Sequence, residues 1–295
     1  MRGFEYSTPS TLREAIALLC QEGARPVAGG TDLFIHMRAG IASPKHLVDL
    51  TGLGLSYIRR EREIVKIGAT TTFEELLESD IIRRDLPCLM ESALQVGAVQ
   101  TRNMATIGGN LCSAVPSADA APPLLVYDAQ VKIAGRKGNR VLALEQFFAG
   151  PKKNILKADE ILAEIQVPVP SPRTGAHFLK KGRRNAMTLA VANVAALLSL
   201  AADERTGDKA RIALGAVAPV PLRAKKAEAI LQAGAISESL IDQAAFVAAD
   251  EIAPISDLRA TADYRREVSR VLVKRALERA WRMVRAGDWE TNART

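Results

Sequence analysis

The sequence predicts an α+β protein of two domains, and three observations point there. Short runs rich in β-branched residues are interspersed with segments of helical periodicity through the first 167 residues. Pro168, Pro170 and Pro172 then fall close together, joined by Gly175, and proline at that density suits neither helix nor sheet interior. Beyond this break the strand-like stretches come first and the helical ones last, an order typical of α+β layers. A length of 295 residues fits about two domains. The expected division is 1–174 and 175–295, with a subdomain boundary near 55–60 in the first part.

Taken in order, Leu12, Ala15, Ile16 and Leu19 share one helical face behind a candidate N-cap, Ser10, and Gly23 ends that helix. Arg25 to Ala28 reads as a short strand running into a glycine pair, and Leu33 to Met37 as another short element. His46 to Leu50 and Ile64 to Gly68 are strand candidates. Thr72 and Glu75 form a capping-box pattern ahead of a helix. Pro87 to Val96 is expected to be helical, and Val126 to Ile133 and Ile161 to Val167 to be strands.

In the second part, Ala176 to Lys181, Leu189 to Leu200 and Ala210 to Ala218 read as three strands of an antiparallel sheet. The middle one is equally compatible with a buried helix, because Ala and Leu satisfy both patterns. Asp203 to Asp208 reads as a hairpin connection. Helical patterns follow over Ala224 to Gln232, Ser237 to Ile252 and Ala262 to Ala286.

Composition narrows the function classes. Hydrophobic residues make up 48% and aromatics only 4%, which favours tightly packed layers of small side chains over an aromatic-lined substrate pocket. The net charge of +7 comes from Lys and Arg interleaved with Glu and Asp, without the basic blocks and aromatics of a nucleic-acid surface. Cys20, Cys88 and Cys112 lie far apart and form no CxxC pair, which argues against zinc, a self-contained iron–sulfur cluster or a disulfide framework. With no signal-peptide pattern at Met1 to Tyr6 and no apolar run long enough to span a bilayer, a cytoplasmic protein is expected.

The chemistry concentrates in two glycine pairs, Gly29-Gly30 within Val27 to Leu33 and Gly108-Gly109 within Thr106 to Asn110. Glycine permits positive φ and close backbone approach, and consecutive exposed N–H groups form a concave anion site. Thr31 and Thr106 stand ready to add hydroxyl donors. Two loops closing on one polyanion make a diphosphate, and hence a dinucleotide, the first expectation. The spacing is not G-x-G-x-x-G, and no Walker pattern occurs, so the standard nucleotide folds are disfavoured. His36, His46 and His177 share no metal-ligand spacing and accompany no Gly-x-Ser-x-Gly element, so they read as structural or surface residues. Asp119 lies between Pro116 and Pro122, in an apolar stretch where a carboxylate needs donors.

Ala28 to Leu33, Thr106 to Asn110, Pro116 and Asp119, with Phe178 to Met187 and Tyr264 to Arg275 in the second half, closely resemble the flavin-binding subunits of molybdenum hydroxylases, the xanthine dehydrogenase and carbon monoxide dehydrogenase family. The resemblance covers nearly the whole chain. It implies an FAD-binding domain of the vanillyl-alcohol-oxidase type, built of two subdomains, followed by a C-terminal α+β domain. It assigns Val27, Ala28, Gly29, Gly30, Thr31, Asp32 and Leu33, completed by Thr106, Gly109 and Asn110, to the FAD diphosphate. Asp119 matches an acid at the flavin's sugar-like portion, Leu162 an apolar packing residue, and Lys180 a lysine at the flavin edge, where positive charge stabilises the reduced, anionic flavin. Thr188 stands where many relatives carry an acid.

The resemblance also implies partners. A large subunit carries the molybdenum cofactor and a small one carries two [2Fe-2S] clusters, while this chain passes electrons to NAD or another acceptor within a heterotrimer. The two competing expectations are a self-sufficient flavin oxidase of the same fold and a non-redox nucleotide-binding module.

Overall fold

A computed structural model of the chain describes residues 3–201 and 207–286. The anticipated turn at Asp203 to Asp208 therefore lies mostly outside the described residues. Three sheets carry the architecture, one after another along the chain.

The first is small and parallel. Strand β1 (Glu5–Ser7) is followed by helix α1 (Leu12–Leu19), strand β2 (Ala24–Val27), helix α2 (Leu33–Arg38) and strand β3 (His46–Asp49). The strand order is β1-β3-β2. Thr11, not Ser10, caps α1, its hydroxyl accepting from the Glu14 amide at 3.2 Å. Ala15, Ile16 and Leu19 bury the face expected from their spacing, packing with Val48 and Leu50. His46 is a satisfied structural histidine, with Nδ1 3.0 Å from Gln21 Oε1 and Nε2 2.8 Å from Ser7 Oγ.

The second sheet is antiparallel and five-stranded, with a helical layer against it. Strands β4 (Ile58–Glu61) and β5 (Ile64–Gly68) precede the helices α3 (Phe73–Glu78), α4 (Asp80–Asp85), α5 (Pro87–Leu94), α6 (Val99–Arg102), α7 (Ile107–Cys112) and α8 (Ala121–Val126). Strands β6 (Gln130–Gly135) and β7 (Gly138–Ala143) follow, then the short pair β8 (Phe148–Gly150) and β9 (Lys153–Asn154), and finally β10 (Glu160–Pro168). Their order is β4-β5-β10-β6-β7, with β8 and β9 pairing separately. The capping box at Thr72 and Glu75 forms as expected. The stretch from Val126 does not start a strand. Ala121–Val126 is a buried helix whose two prolines sit at its first turn, where no amide partner is needed. The chain then reverses at Asp128 in a left-handed conformation before β6 begins.

The third sheet corrects the expected strand number. Strands β11 (Thr174–Gly182), β12 (Ala190–Leu200) and β13 (Gly207–Gly215) are joined by a fourth, β14 (Leu222–Arg223), all antiparallel. Two residues behind Pro221 are too few to show any period, so sequence patterning missed β14. Leu189 to Leu200 resolves as strand, and the reason for its ambiguity is visible. All eleven residues of β12 are buried, because both faces are covered. Helices α9 (Lys225–Gln232), α10 (Glu238–Asp250) and α11 (Ala262–Ala286) form one layer with Ala192, Val194, Ala196 and Leu198. On the opposite face, Ala195 and Leu197 join the main core of the preceding sheet and helices, alongside Phe73, Leu89 and Phe147. A strand covered on both sides loses alternation.

A charged clamp fixes this junction. Asp128 accepts from Lys209 at 2.7 Å, Arg211 at 3.2 Å and Arg223 at 2.9 Å, and Arg223 also grips the buried Glu228. No helix among the described residues is long and apolar enough to cross a membrane.

Candidate flavin site

The turn after β2 is built for close backbone approach. Val27 and Leu33 anchor its two ends in a small cluster with Met37 and Leu47. Between them, Gly30 has φ +66°, and a Cβ there would also stand 2.4 Å from the Phe34 ring. A Cβ on Gly29 would stand 1.6 Å from the Met104 carbonyl oxygen. The main chain of the first glycine turn therefore abuts the segment that leads into the second, at Met104 and Ala105. Among the described residues, the amides of Gly29, Gly30 and Thr31 donate to no protein acceptor. Free amides on a glycine turn are the donor set a diphosphate requires.

The second glycine segment differs from expectation. It is the first turn of α7, not an open loop, with Thr106 as N-cap. Its amides are engaged: Ile107 N–H to Thr71 O at 2.9 Å, Gly108 N–H to Ala69 O at 2.9 Å, Gly109 N–H to Thr106 Oγ1 at 3.1 Å and Asn110 N–H to Thr106 O at 3.0 Å. Glycine plays two parts here. Gly108 is packed against Ala69, where a Cβ would meet the carbonyl oxygen at 2.5 Å. Gly109 is exposed, and a Cβ there would meet only its own cap hydroxyl, at 2.8 Å. What this segment offers a ligand is an unobstructed surface at Gly109 and side-chain groups of Thr106 and Asn110.

The remaining expected residues continue the same line. Asp32 does not point a carboxylate at an anion; it accepts from Ser113 Oγ at 2.9 Å, tying the first turn to the end of α7. Asn110 Oδ1 accepts from Ala120 N–H at 3.3 Å, which holds the loop bearing Asp119. Asp119 is 8% exposed. Its Oδ2 receives Lys180 Nζ at 2.6 Å and its Oδ1 receives Asn193 Nδ2 at 2.9 Å. Burial pushes the Asp119 carboxyl up, while the charge and hydrogen bond of Lys180 and the bond from Asn193 pull the other way. Lys180 also donates to Gln95 O at 3.0 Å. Leu162 stands apart from this line. It is 3% exposed and packs in the main core with Ile107 and Leu111.

Lys180 lines a cleft of about 250 Å³ together with Gln95, Lys181, Gly182, Arg184 and Thr188. Among the described residues, the cationic side chains Lys180, Lys181 and Arg184 line it, and with only Lys180 paired, to Asp119, it suits an anionic or electron-rich ligand portion. Asn193 and Gln95 were not anticipated. Their only sequence signal is a polar residue inside the apolar run Ala190 to Leu198, and a backbone carbonyl leaves none. The free amides, the open face of Gly109 and the cationic cleft all fit a flavin dinucleotide.

Comparison with known proteins places the chain among flavoproteins. Residues 2–170 match the family described as the FAD binding domain in molybdopterin dehydrogenase, and residues 177–280 match the CO dehydrogenase flavoprotein C-terminal domain. The carbon monoxide dehydrogenase medium chain of Afipia carboxidovorans is 35% identical over 94% of this chain and 96% of its own length. A putative xanthine dehydrogenase FAD-binding subunit of Escherichia coli is 33% identical over 93% and 95%. Among solved structures, carbon monoxide dehydrogenase from Hydrogenophaga pseudoflava superposes with a TM-score of 0.92 at 35% identity, covering 95% of this chain and 98% of that one. Quinoline 2-oxidoreductase from Pseudomonas putida 86 gives 0.90 at 28% identity, over 96% and 98%. With both halves matched in order and almost end to end, the chain belongs to the FAD-binding flavoprotein subunits of the molybdopterin dehydrogenases, and is an oxidoreductase subunit.

Proposed function

We propose that this chain binds FAD across the glycine turn and α7 and carries electrons between a partner subunit and a soluble acceptor. The observation that supports this most is the row of amides at Gly29, Gly30 and Thr31, unengaged among the described residues, on a turn that abuts Met104 and is tied through Asp32 to Ser113 at the end of α7. Those amides hold the diphosphate, with Thr31, Thr106 and Asn110 adding side-chain groups. Val27, Ala28 and Leu33 shape the turn, Asp32 braces it through Ser113, and Leu162 supports α7 from the core. Bound FAD supplies the ability to take up electrons singly and release them in pairs.

The chain's own residues bind and tune. Lys180, held in place by Asp119, sets an ammonium at the cleft, and positive charge there favours the reduced, anionic cofactor. Substrate oxidation belongs to a large subunit with the molybdenum cofactor, and electrons arrive through a small subunit with [2Fe-2S] clusters; NAD or another carrier receives them. The division of labour within the chain follows 1–174 for FAD binding and 175–295 for the second domain, in a cytoplasmic heterotrimer. Purification of the chain with its co-purifying subunits tests this: flavin absorbance in stoichiometric amount, with iron and molybdenum on the other chains, is expected. A colourless complex, or a chain oxidising a small organic substrate unaided, would contradict it.

A further inference from the structure

Asn193 lies in the middle of β12, whose other residues are apolar except Ser199. It is 0% exposed. Its neighbours in register are Lys180 on β11 and Gly215 on β13. Among the described residues its Oδ1 is buried without a partner. Gly215 is what leaves it room, since a Cβ there would stand 2.2 Å from that oxygen. An unpartnered buried carbonyl costs stability that Val or Leu at the same place would not. Ser199, by contrast, is paired through its hydroxyl with Thr174 at 2.6 Å. The one bond Asn193 makes in return is to Asp119.

We propose that Asn193 is a positioning residue for the flavin: its amide N–H fixes one oxygen of Asp119, so that the other oxygen holds the Lys180 ammonium at the cleft. The chain of contacts is Asn193 Nδ2 to Asp119 Oδ1, and Asp119 Oδ2 to Lys180 Nζ. Lys180 uses a second N–H on Gln95 O, and its third remains for the cleft it lines. A donor at position 193 keeps Asp119 ionised in a site where burial opposes charge. Without that donor, Asp119 takes up a proton or turns away, and Lys180 is released. Such a polar residue, costly to the fold and engaged with a functional pair, marks a site where stability is traded for function.

The proposal rests on the FAD reading above and is tested beside it. Wild type, Asn193→Leu and Asn193→Asp would be prepared as the full chain with its co-purifying subunits, stripped of flavin and titrated with FAD by fluorescence quenching. Asn193→Leu should weaken FAD binding about tenfold, the loss of one charge-assisted hydrogen bond, with little change in melting temperature, because removing the unpartnered carbonyl offsets the donor lost from Asp119. Asn193→Asp gives a readout that a packing role would not move. Charged and titratable groups near the site are Asp119, Lys180 on β11, Arg265 reaching Val191 O and Ala216 O from α11, and the His177–Glu91 pair between β11 and α5. With a second carboxyl beside Asp119, FAD should bind near wild-type strength at pH 6, where one acid retains a proton and donates it. At pH 8 binding should be several-fold weaker, against a smaller change in wild type. Unchanged affinity in Asn193→Leu, or an Asn193→Asp profile parallel to wild type, overturns the proposal. A wild type that takes up no FAD overturns the functional reading as well, so the two failures are distinct.

Discussion

Gly29 and Met104 are in backbone contact: no side chain fits on Gly29, because its Cβ would lie 1.6 Å from the Met104 carbonyl oxygen. This contact joins two segments far apart in sequence into one surface. It also separates what each glycine does, and hence what each substitution should do.

Gly29→Ala should damage fold and flavin site together. The carbonyl it meets is main chain and cannot swing aside, so overpacking of about 1–3 kcal/mol is expected. A urea titration of the variant should show a lower midpoint, and the purified protein should be colourless.

Gly109→Val should separate the two effects. Its Cβ meets only the Thr106 hydroxyl, so the stability loss stays near the value of one cap, about 1 kcal/mol. Flavin absorbance per mole of protein should nevertheless fall at least tenfold. Full flavin content in a folded Gly109→Val protein would remove α7 from the site.

Much of this surface was legible in the residues. The glycine pairs, the capping box at Thr72 and the Pro168 to Pro172 break each follow from local chemistry. Other features depend on tertiary contacts. Gly108-Gly109 reads as an open loop because two glycines weaken a helix, yet Thr106 caps it and Ala69 packs against it. The strand β12 and helix α8 carry no period because both are wholly buried. Asn193 acquires meaning only when β11 and β12 bring it to Asp119.

Arg223→Met should destabilise the junction strongly. Arg223 bridges Asp128 and Glu228, and Glu228 is 4% exposed with its carboxylate also accepting from Ile212 N–H at 2.9 Å. Removing the cation leaves a buried carboxylate without its counter-charge, a loss of about 3–5 kcal/mol. Chemical denaturation of wild type and variant measures it directly.

The acid limb of stability should contain Asp257. Burial tends to raise this carboxyl, but hydrogen bonds from Arg259 N–H, the Arg265 side chain and Ala260 N–H overcome it and hold the pKa at about 2, against an ordinary 3.8. A carboxyl lowered on folding stabilises above its unfolded pKa, and that contribution is lost as pH falls through the folded one. The advantage of wild type over Asp257→Asn, about 1 kcal/mol at neutral pH after solvent screening, should therefore vanish between pH 4 and pH 2. Unfolding curves at stepped pH check this.

Thiol reactivity should single out Cys20. It is exposed, whereas Cys88 is buried with its thiol pushed well up, and burial pushes Cys112 up to about 12. A thiol-specific chromophore at pH 8 should modify one cysteine rapidly in the native protein, and Cys20→Ser should abolish that phase.

The most direct measurement is the structure of the chain with FAD bound. The expected result is diphosphate oxygens within hydrogen-bond distance of the Gly29, Gly30 and Thr31 amides, over the open face of Gly109. A diphosphate seated elsewhere, with those three amides facing only solvent, would contradict the account.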